Sequence, residues 1–462
     1  MILAIYAGAF IALCIACGAV WARESRGRLI LTPFLMFCAN EIIRVWPAAI
    51  YARYTGLSED LYPTFVILSS TFAFVLGYFI AGDFVGWRRF SPLAFFQRPM
   101  FRAAAGAHLV AIGCCATLLV LAAVYFYQGL PPTVTSVTRL MTEGYGSGVA
   151  GFAAREREKY TKSHYFGGEY RGQGVIREYT AIGWPLLTGI SLLLYLQRRS
   201  HLCLMVSLML LAASLVFIAG DGTRGAVLWG MISLVITFSL VTRMHVRTLL
   251  VVGLALLVLL FGLSSVKKYA GYAQQGTLLK SGGMRIAERI FVGNGINTIH
   301  VIELVNCGRL ELRNGSIHMT EMLNSLPSVR VGRPFAYDLF RILYPYSTGT
   351  TYCTMTYLGR LYGDFGWPGA VGGFFLLGLI TSLTTRFLFS RRKTVLNTVI
   401  IGALLMRLGN LNLNGPFALV ASAVVVLSVG MIYSVCFGIA HHCELAGSSN
   451  LAPRQTKLQP SQ

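Results

Sequence analysis

The sequence predicts an all-α protein: a polytopic membrane helical bundle of about eleven transmembrane helices, with two long loops on one face. Three observations carry that prediction. Hydrophobic residues make up 55% of the 462-residue chain and charged residues only 12%, whereas a soluble domain carries about 25% charged residues. Apolar runs of roughly 20 residues, the length that crosses a hydrocarbon core of ~30 Å, recur along the chain. Short connections rich in arginine alternate with connections that are not, which orients the runs.

The runs fall at 1–22, 29–50, 62–82, 105–127, 181–197, 203–219, 225–242, 248–266, 367–389, 395–413 and 416–440. The run at 181–197 is short and opens on Gly183-Trp184-Pro185. Gly415-Pro416 parts the last two, as a glycine–proline pair breaks a helix. Residues 1–22 fit a first span better than a cleaved leader. No basic residues precede them, the apolar stretch is long, and Arg23, Arg26 and Arg28 follow it. Ala19-Val20-Trp21-Ala22 keeps cleavage open as a minor alternative.

Arg23, Arg26 and Arg28 lie in the first connection; Arg88, Arg89, Arg98 and Arg102 in the third. Arg198 and Arg199, Arg243 and Arg247, and Arg391, Arg392 and Lys393 continue the alternation. The positive-inside rule puts these in the cytoplasm, the N-terminus outside and the C-terminal tail inside. The chain then divides into helices 1–4 (1–127), a first outer loop (128–180) and helices 5–8 (181–266). A second outer loop (267–366), helices 9–11 (367–440) and a cytoplasmic tail (441–462) follow. Within the second loop, 285–306 has helical apolar spacing interrupted near Gly293 and Gly295. Ser316 is placed to cap a further helix ending before Pro327.

The net charge of +21 reflects these connections and is no sign of nucleic acid, since no basic block or binding motif accompanies it. Most of the ten cysteines sit in apolar runs as packing residues, the Cys14/Cys17 pair included. Cys307 and Cys353 share the second loop, where a disulfide is one option. No phosphate loop, zinc-protease or nucleophile-elbow motif occurs, and His441-His442-Cys443 has no partner cluster for a metal.

Ionised side chains within membrane spans are costly and mark function by default. Glu41 and Arg44 lie three residues apart in the second span, Arg407 lies in the tenth, and Arg224 opens the seventh within GDGTRG. Glu41 and Arg44 either pair with each other or serve a ligand. At about 1.5 Å per residue, Arg44 and Arg407 lie roughly two turns below the outer surface, under Arg224. The outer loops carry more basic than acidic residues, which an anionic ligand explains; arginine offers a planar fork of donors to phosphate. The first loop includes FGGEYRGQG, with Glu169 near Arg171; the second includes Arg285, Arg289 and the histidines His300 and His318.

At these residues the chain resembles the bacterial oligosaccharide repeat-unit polymerases, the Wzy-type O-antigen and exopolysaccharide polymerases. The span count and two long loops are similar in architecture. The Thr223-Arg224-Gly225 helix start, the glycine-rich GGEYRGQG and the run TYLGRLYGDFGWPGAVGGFFLLG (356–378) resemble the family's short motifs. The Arg-x10-Gly spacing associated with the family occurs once in the first loop, from Arg157 to Gly168.

The resemblance implies an inner-membrane glycosyltransferase that joins glycan repeat units carried on undecaprenyl pyrophosphate at the periplasmic face. It implies no cofactor and no metal, a lipid-linked glycan donor and acceptor as substrates, and a chain-length regulator as an optional partner. Arg224, Arg285 and Arg289 would then stabilise the pyrophosphate leaving group, with Arg44 or Arg407 holding the lipid phosphate. Glu169 is the first candidate for the base that the acceptor hydroxyl needs, followed by Asp364 and His318. Arg171 and Tyr362 are candidate substrate contacts, and Tyr362 and Trp367 either stack on sugar rings or anchor at the interface. The alternatives are an O-antigen ligase, a lipid-linked oligosaccharide flippase and a structural subunit of an export complex.

Overall fold

The computed structural model of the chain describes residues 2–25, 32–58, 60–85, 90–101, 113, 116, 117, 120, 138, 142, 182–220, 224–242, 291–325, 331, 332, 335–346 and 353–449. Among them every regular element is helical. The expected spans at 105–127 and 248–266 and the first outer loop lie almost wholly outside the described residues. Glu169, Arg171, Arg285 and Arg289 also fall there.

Four described helices are long and apolar enough to cross a membrane: Ile2–Glu24, Pro33–Tyr54, Tyr62–Val85 and Tyr357–Ser390. They coincide with the runs expected at 1–22, 29–50, 62–82 and 367–389. Shorter apolar helices at His201–Ala212, Leu228–Ser239, Val395–Gly409 and Ser422–Val435 overlap four others. Four candidate spans are thus found among the described residues, and these do not establish the expected count of about eleven.

The first helix, α1 (Ile2–Ser25), is followed by α2 (Pro33–Asn40), a π-helical turn (Glu41–Val45) and α3 (Trp46–Tyr54). Thr32 starts α2 by accepting a hydrogen bond from the Leu35 amide at 3.4 Å, with Pro33 in the first turn, where its missing N–H costs nothing. The π turn has a local cause in Pro47. Proline cannot donate to the carbonyl four residues back, and its ring clashes there, so the preceding turn widens.

Helix α4 (Tyr62–Val85) is the centre of the bundle, and the short α5 (Pro92–Gln97) follows it. Three further helices are α6 (Trp184–Arg198), α7 (His201–Gly220) and α8 (Arg224–Ser239). The expected second loop contains α9 (Gly293–Asn306), α10 (Ser316–Ser325) and α11 (Phe335–Leu343). Next comes α12 (Tyr357–Ser390), starting ten residues before the expected span. It kinks at Gly366, whose φ of 67° and ψ of −159° suit glycine, and Pro368 follows. The apolar span expected to open at residue 367 begins at this kink. The chain ends with α13 (Val395–Gly409), α14 (Leu411–Asn414) and α15 (Ala418–Ser449).

Helices α4 and α12 run in the same direction in close contact. Tyr62 meets Tyr362 at one end (O···O 3.2 Å) and Trp367 donates to Ser69 Oγ at 3.1 Å. Further along, a Cβ on Gly77 would stand 2.2 Å from the Phe375 carbonyl oxygen, and one on Gly378 would stand 2.2 Å from that of Phe74. Small residues let the two backbones approach, the usual solution between helices in lipid. Helix α2 packs antiparallel to α4, with Phe37 stacked on Phe74 at 3.5 Å and Phe34 against Tyr78 at 4.7 Å.

At the far end of this pair lies a buried ion pair. Glu24, at the end of α1, accepts from Arg386 Nη1 at 3.4 Å and from the Tyr78 hydroxyl at 2.9 Å. Both charged side chains are almost wholly enclosed. Beyond it, Lys393 is buried against Phe95 and Phe96 and donates to the Phe96 carbonyl at 2.8 Å. Loss of hydration pushes its amine down to about 8.

Two outcomes follow from this packing. Gly378→Ala drives a methyl into the α4 backbone and should cost about 1–3 kcal/mol, lowering the midpoint of thermal unfolding in detergent. Gly372→Ala, with open space at its Cβ, should not lower it. Glu24→Leu removes the carboxylate from buried Arg386 and should destabilise by about 3–5 kcal/mol, most of it regained in the Glu24→Leu/Arg386→Met double variant.

Candidate functional site

The carboxylate of Asp364 lies in the last turn of α12 before the Gly366 kink. The kink leaves two carbonyls without their usual helical partners, and the incoming loop uses both. Arg313 N donates to the Gly363 carbonyl and Asn314 N to that of Asp364, each at 3.0 Å. Pro368 explains the second bond, since it has no N–H to offer the carbonyl of Asp364. The loop turns through Asn314 (φ 47°) and Gly315 (φ 91°) directly into α10.

That turn aims the N-terminus of α10 at the Asp364 carboxylate. Ile317 N donates to Oδ1 at 3.0 Å and His318 N to Oδ2 at 2.9 Å. The cap expected from Ser316 thus comes from another helix, with a full negative charge at the positive end of α10. His318 Nδ1 lies 2.5 Å from the same Oδ2. A carboxylate can only accept, so Nδ1 carries the hydrogen; in the neutral imidazole Nε2 then holds the lone pair. Nε2 is buried and has no hydrogen-bond partner among the described residues. Tyr357, Phe365 and Phe417 surround the imidazole at centroid distances of 5.2, 5.8 and 6.2 Å.

This is the arrangement of an oriented base: an acid fixes one ring nitrogen and leaves the other to take a proton. One turn along α10, Glu321 pairs with Arg360 at 2.9 Å, and Arg360 also donates to the Asn414 carbonyl at 3.2 Å. Arg313 and Asp338 are 3.9 Å apart at the surface. Among the described residues no three His, Cys, Asp or Glu side chains converge to hold a metal.

The charges within the spans take other partners than each other. Glu41 is buried and accepts from Asn412 Nδ2 at 2.8 Å, with Thr71 Oγ1 at 3.4 Å. The expected alternative of a Glu41–Arg44 pair is not formed, because the π turn rotates the two off a shared face. Arg44 instead lies over the Trp229 ring, 5.4 Å from its centroid. Trp229 stands five residues into α8, which begins at Arg224 as the sequence predicts. Arg407 is half-buried in the last turn of α13.

Helix α9 lies between Arg44 and the dyad. A Cβ on Gly295 would stand 2.5 Å from the Arg44 carbonyl oxygen, and Thr298 bonds Thr356 at 2.9 Å beside Gly359. Its His300 is half-buried, and burial lowers its affinity for a proton against the pull of Glu303. Tyr362 departs from the sugar-stacking role: it is buried, with its ring edge against Tyr62. Trp367 stacks on Phe65 and stays partly exposed. Cys307 and Cys353 are separate thiols.

Asn412, Asn414, Glu321 and Phe417 are site residues that the sequence reading passed over. The two asparagines had a signal in Gly409-Asn410-Leu411-Asn412-Leu413-Asn414-Gly415, three asparagines in an apolar run, where each polar amide demands a partner; Glu321 and Phe417 had none.

Asp364→Ala leaves the Ile317 and His318 amides unpaired and should cost about 1–3 kcal/mol, read as a lower unfolding midpoint in detergent. Asp364→Asn, with one acceptor oxygen remaining, should fall between wild type and alanine.

Comparison with protein-family models, with curated proteins and with solved structures found no match for this chain.

Proposed function

We propose that the chain is a lipid-linked glycosyltransferase that polymerises undecaprenyl-pyrophosphate-linked repeat units at the periplasmic face of a bacterial inner membrane. The observation that carries this reading is the His318–Asp364 dyad. It stands at the end of α12 where that helix meets α9, and α9 in turn packs on the turn bearing Arg44. An oriented base with one helix between it and a membrane arginine suits a reaction that deprotonates a sugar hydroxyl and expels a lipid pyrophosphate.

In this reading the hydroxyl of the incoming unit gives its proton to His318 Nε2. Its oxygen bonds to the anomeric carbon of the donor chain as the bond from that carbon to the pyrophosphate oxygen breaks. Asp364 stabilises the imidazolium through Nδ1. Charge gathers on the leaving pyrophosphate, where Arg224, Arg285 and Arg289 would receive it, with Arg44 or Arg407 on the lipid phosphate. Glu169, first choice for the base by sequence, lies outside the described residues; the dyad favours His318 for that role. Nε2 is buried, so the acceptor needs one of the surrounding rings to turn aside; Phe365, 45% exposed, is the most exposed of the three, and an exposed side chain changes rotamer in picoseconds to nanoseconds.

His318→Gln should lower polymer formation about 10²–10⁴-fold, the usual contribution of a general base, with the unfolding midpoint near wild type. Arg224→Ala should abolish long polymer too. The assay is a gel of surface polysaccharide from a deletion strain carrying each variant. Capped single units should remain, which separates a polymerase from a ligase or a flippase. Normal-length polymer from both variants would remove the proposed chemistry from this site.

A further inference from the structure

The end of the molecule where α4 and α12 finish carries a second feature. Three connections meet there. Phe101 N donates to the Lys393 carbonyl at 3.0 Å, and Gln197 Nε2 donates to the Phe101 carbonyl at 3.0 Å. Arg98 Nη1 donates to the Phe389 carbonyl at 3.0 Å and reaches that of Arg391 at 3.4 Å. The segments joined in this way, 96–101, 197–201 and 390–394, contain Arg98, Arg198, Arg199, Arg391, Arg392 and Lys393 and no acidic residue. Asp83, at the same end of α4, is already paired with Arg23.

The outward face of α12 leads straight into this cluster. Leu376, Ile380, Leu383 and Phe387 are exposed by 56, 43, 44 and 55%. Their spacing of four, three and four residues puts them on one helix face. Arg391 continues the stripe four residues later, with its guanidinium 4.2 Å from the Phe387 ring centroid. From residue 376 to residue 387 the helix rises about 16 Å, close to half of a ~30 Å hydrocarbon core. The apolar stripe is therefore one leaflet long, with cations at its polar end.

We propose that this face is a binding site for an anionic phospholipid, with one acyl chain along Leu376, Ile380, Leu383 and Phe387 and its phosphate at Arg391, Arg392 and Arg98. Free phosphate would match the arginines alone; the leaflet-long apolar stripe is what selects a lipid. Arginine suits the headgroup because its fork stays charged and bonds phosphate oxygens in pairs. Basic residues near a membrane surface attract anionic lipid. The site lies at the opposite end of α12 from the His318–Asp364 dyad and does not depend on the proposed reaction.

The test uses the purified full chain in a neutral detergent, with short-chain phosphatidylglycerol, short-chain phosphatidylcholine and inorganic phosphate as probes. Phosphatidylglycerol should raise the unfolding midpoint in a saturable way, and the other two should not. In R391Q/R392Q, two exposed positions, the concentration needed for half the shift should rise at least tenfold. Arg309→Gln, at the dyad end, should leave it unchanged. Equal shifts from phosphatidylcholine, or from inorganic phosphate, would overturn the lipid assignment. Wild-type affinity in R391Q/R392Q would overturn the location.

Discussion

The packing of α10 against α12 depends on one buried carboxylate. Asp364 accepts two backbone amides from α10 and the Nδ1 hydrogen of His318. It thereby fixes where α10 begins, how it points and which imidazole nitrogen is left to act. Each neighbouring irregularity serves that contact. The kink at Gly366 frees the carbonyls that receive the loop, and Gly363 lacks the side chain that would press on Ile317, 3.1 Å from its Cβ position. A charge buried without such donors would cost several kcal/mol; with three of them it becomes the organising element of the site.

Away from the dyad, the bundle handles polar groups one partner at a time. Glu24 meets Arg386 and Tyr78, Glu41 meets Asn412 and Thr71, and Asn40 donates to the Gly409 carbonyl at 3.1 Å and to Asn410 Oδ1 at 2.9 Å. Each contact joins helices distant in sequence, so the polar residues fix helix register where apolar surfaces in lipid supply little preference. The Glu41 contacts also couple the π turn to α14, whose last residue carries the carbonyl bonded by Arg360. Polar contacts therefore continue from the membrane interior to Glu321, one turn from His318.

Much of this architecture was legible in the sequence, because apolar length and glycine–proline breaks are local signals. The four long helices fell where hydropathy placed them, the break at residue 366 matched the expected start of a span, and Arg224 opened its helix. Partnerships were not legible, because they join residues from tens to hundreds of positions apart. Glu41 and Arg44 looked like neighbours on an ordinary helix; Pro47 widens the turn and sends them to Asn412 and Trp229. Ser316 looked like a cap, and Asp364 took the role from another helix. His318 and Asp364 were both candidates, but nothing in the spacing of residues 318 and 364 indicated that they touch.

Asp364 holds His318 with its hydrogen on Nδ1, so that in the neutral imidazole the lone pair is on Nε2. Nitrogen-15 NMR of histidine-labelled protein in detergent tests this directly, with the His318 signals assigned by their loss in His318→Gln. In the neutral imidazole Nδ1 should be protonated and Nε2 unprotonated, and that preference should be lost in Asp364→Asn. A His318 with its hydrogen on Nε2, unchanged by the Asp364 substitution, would contradict it.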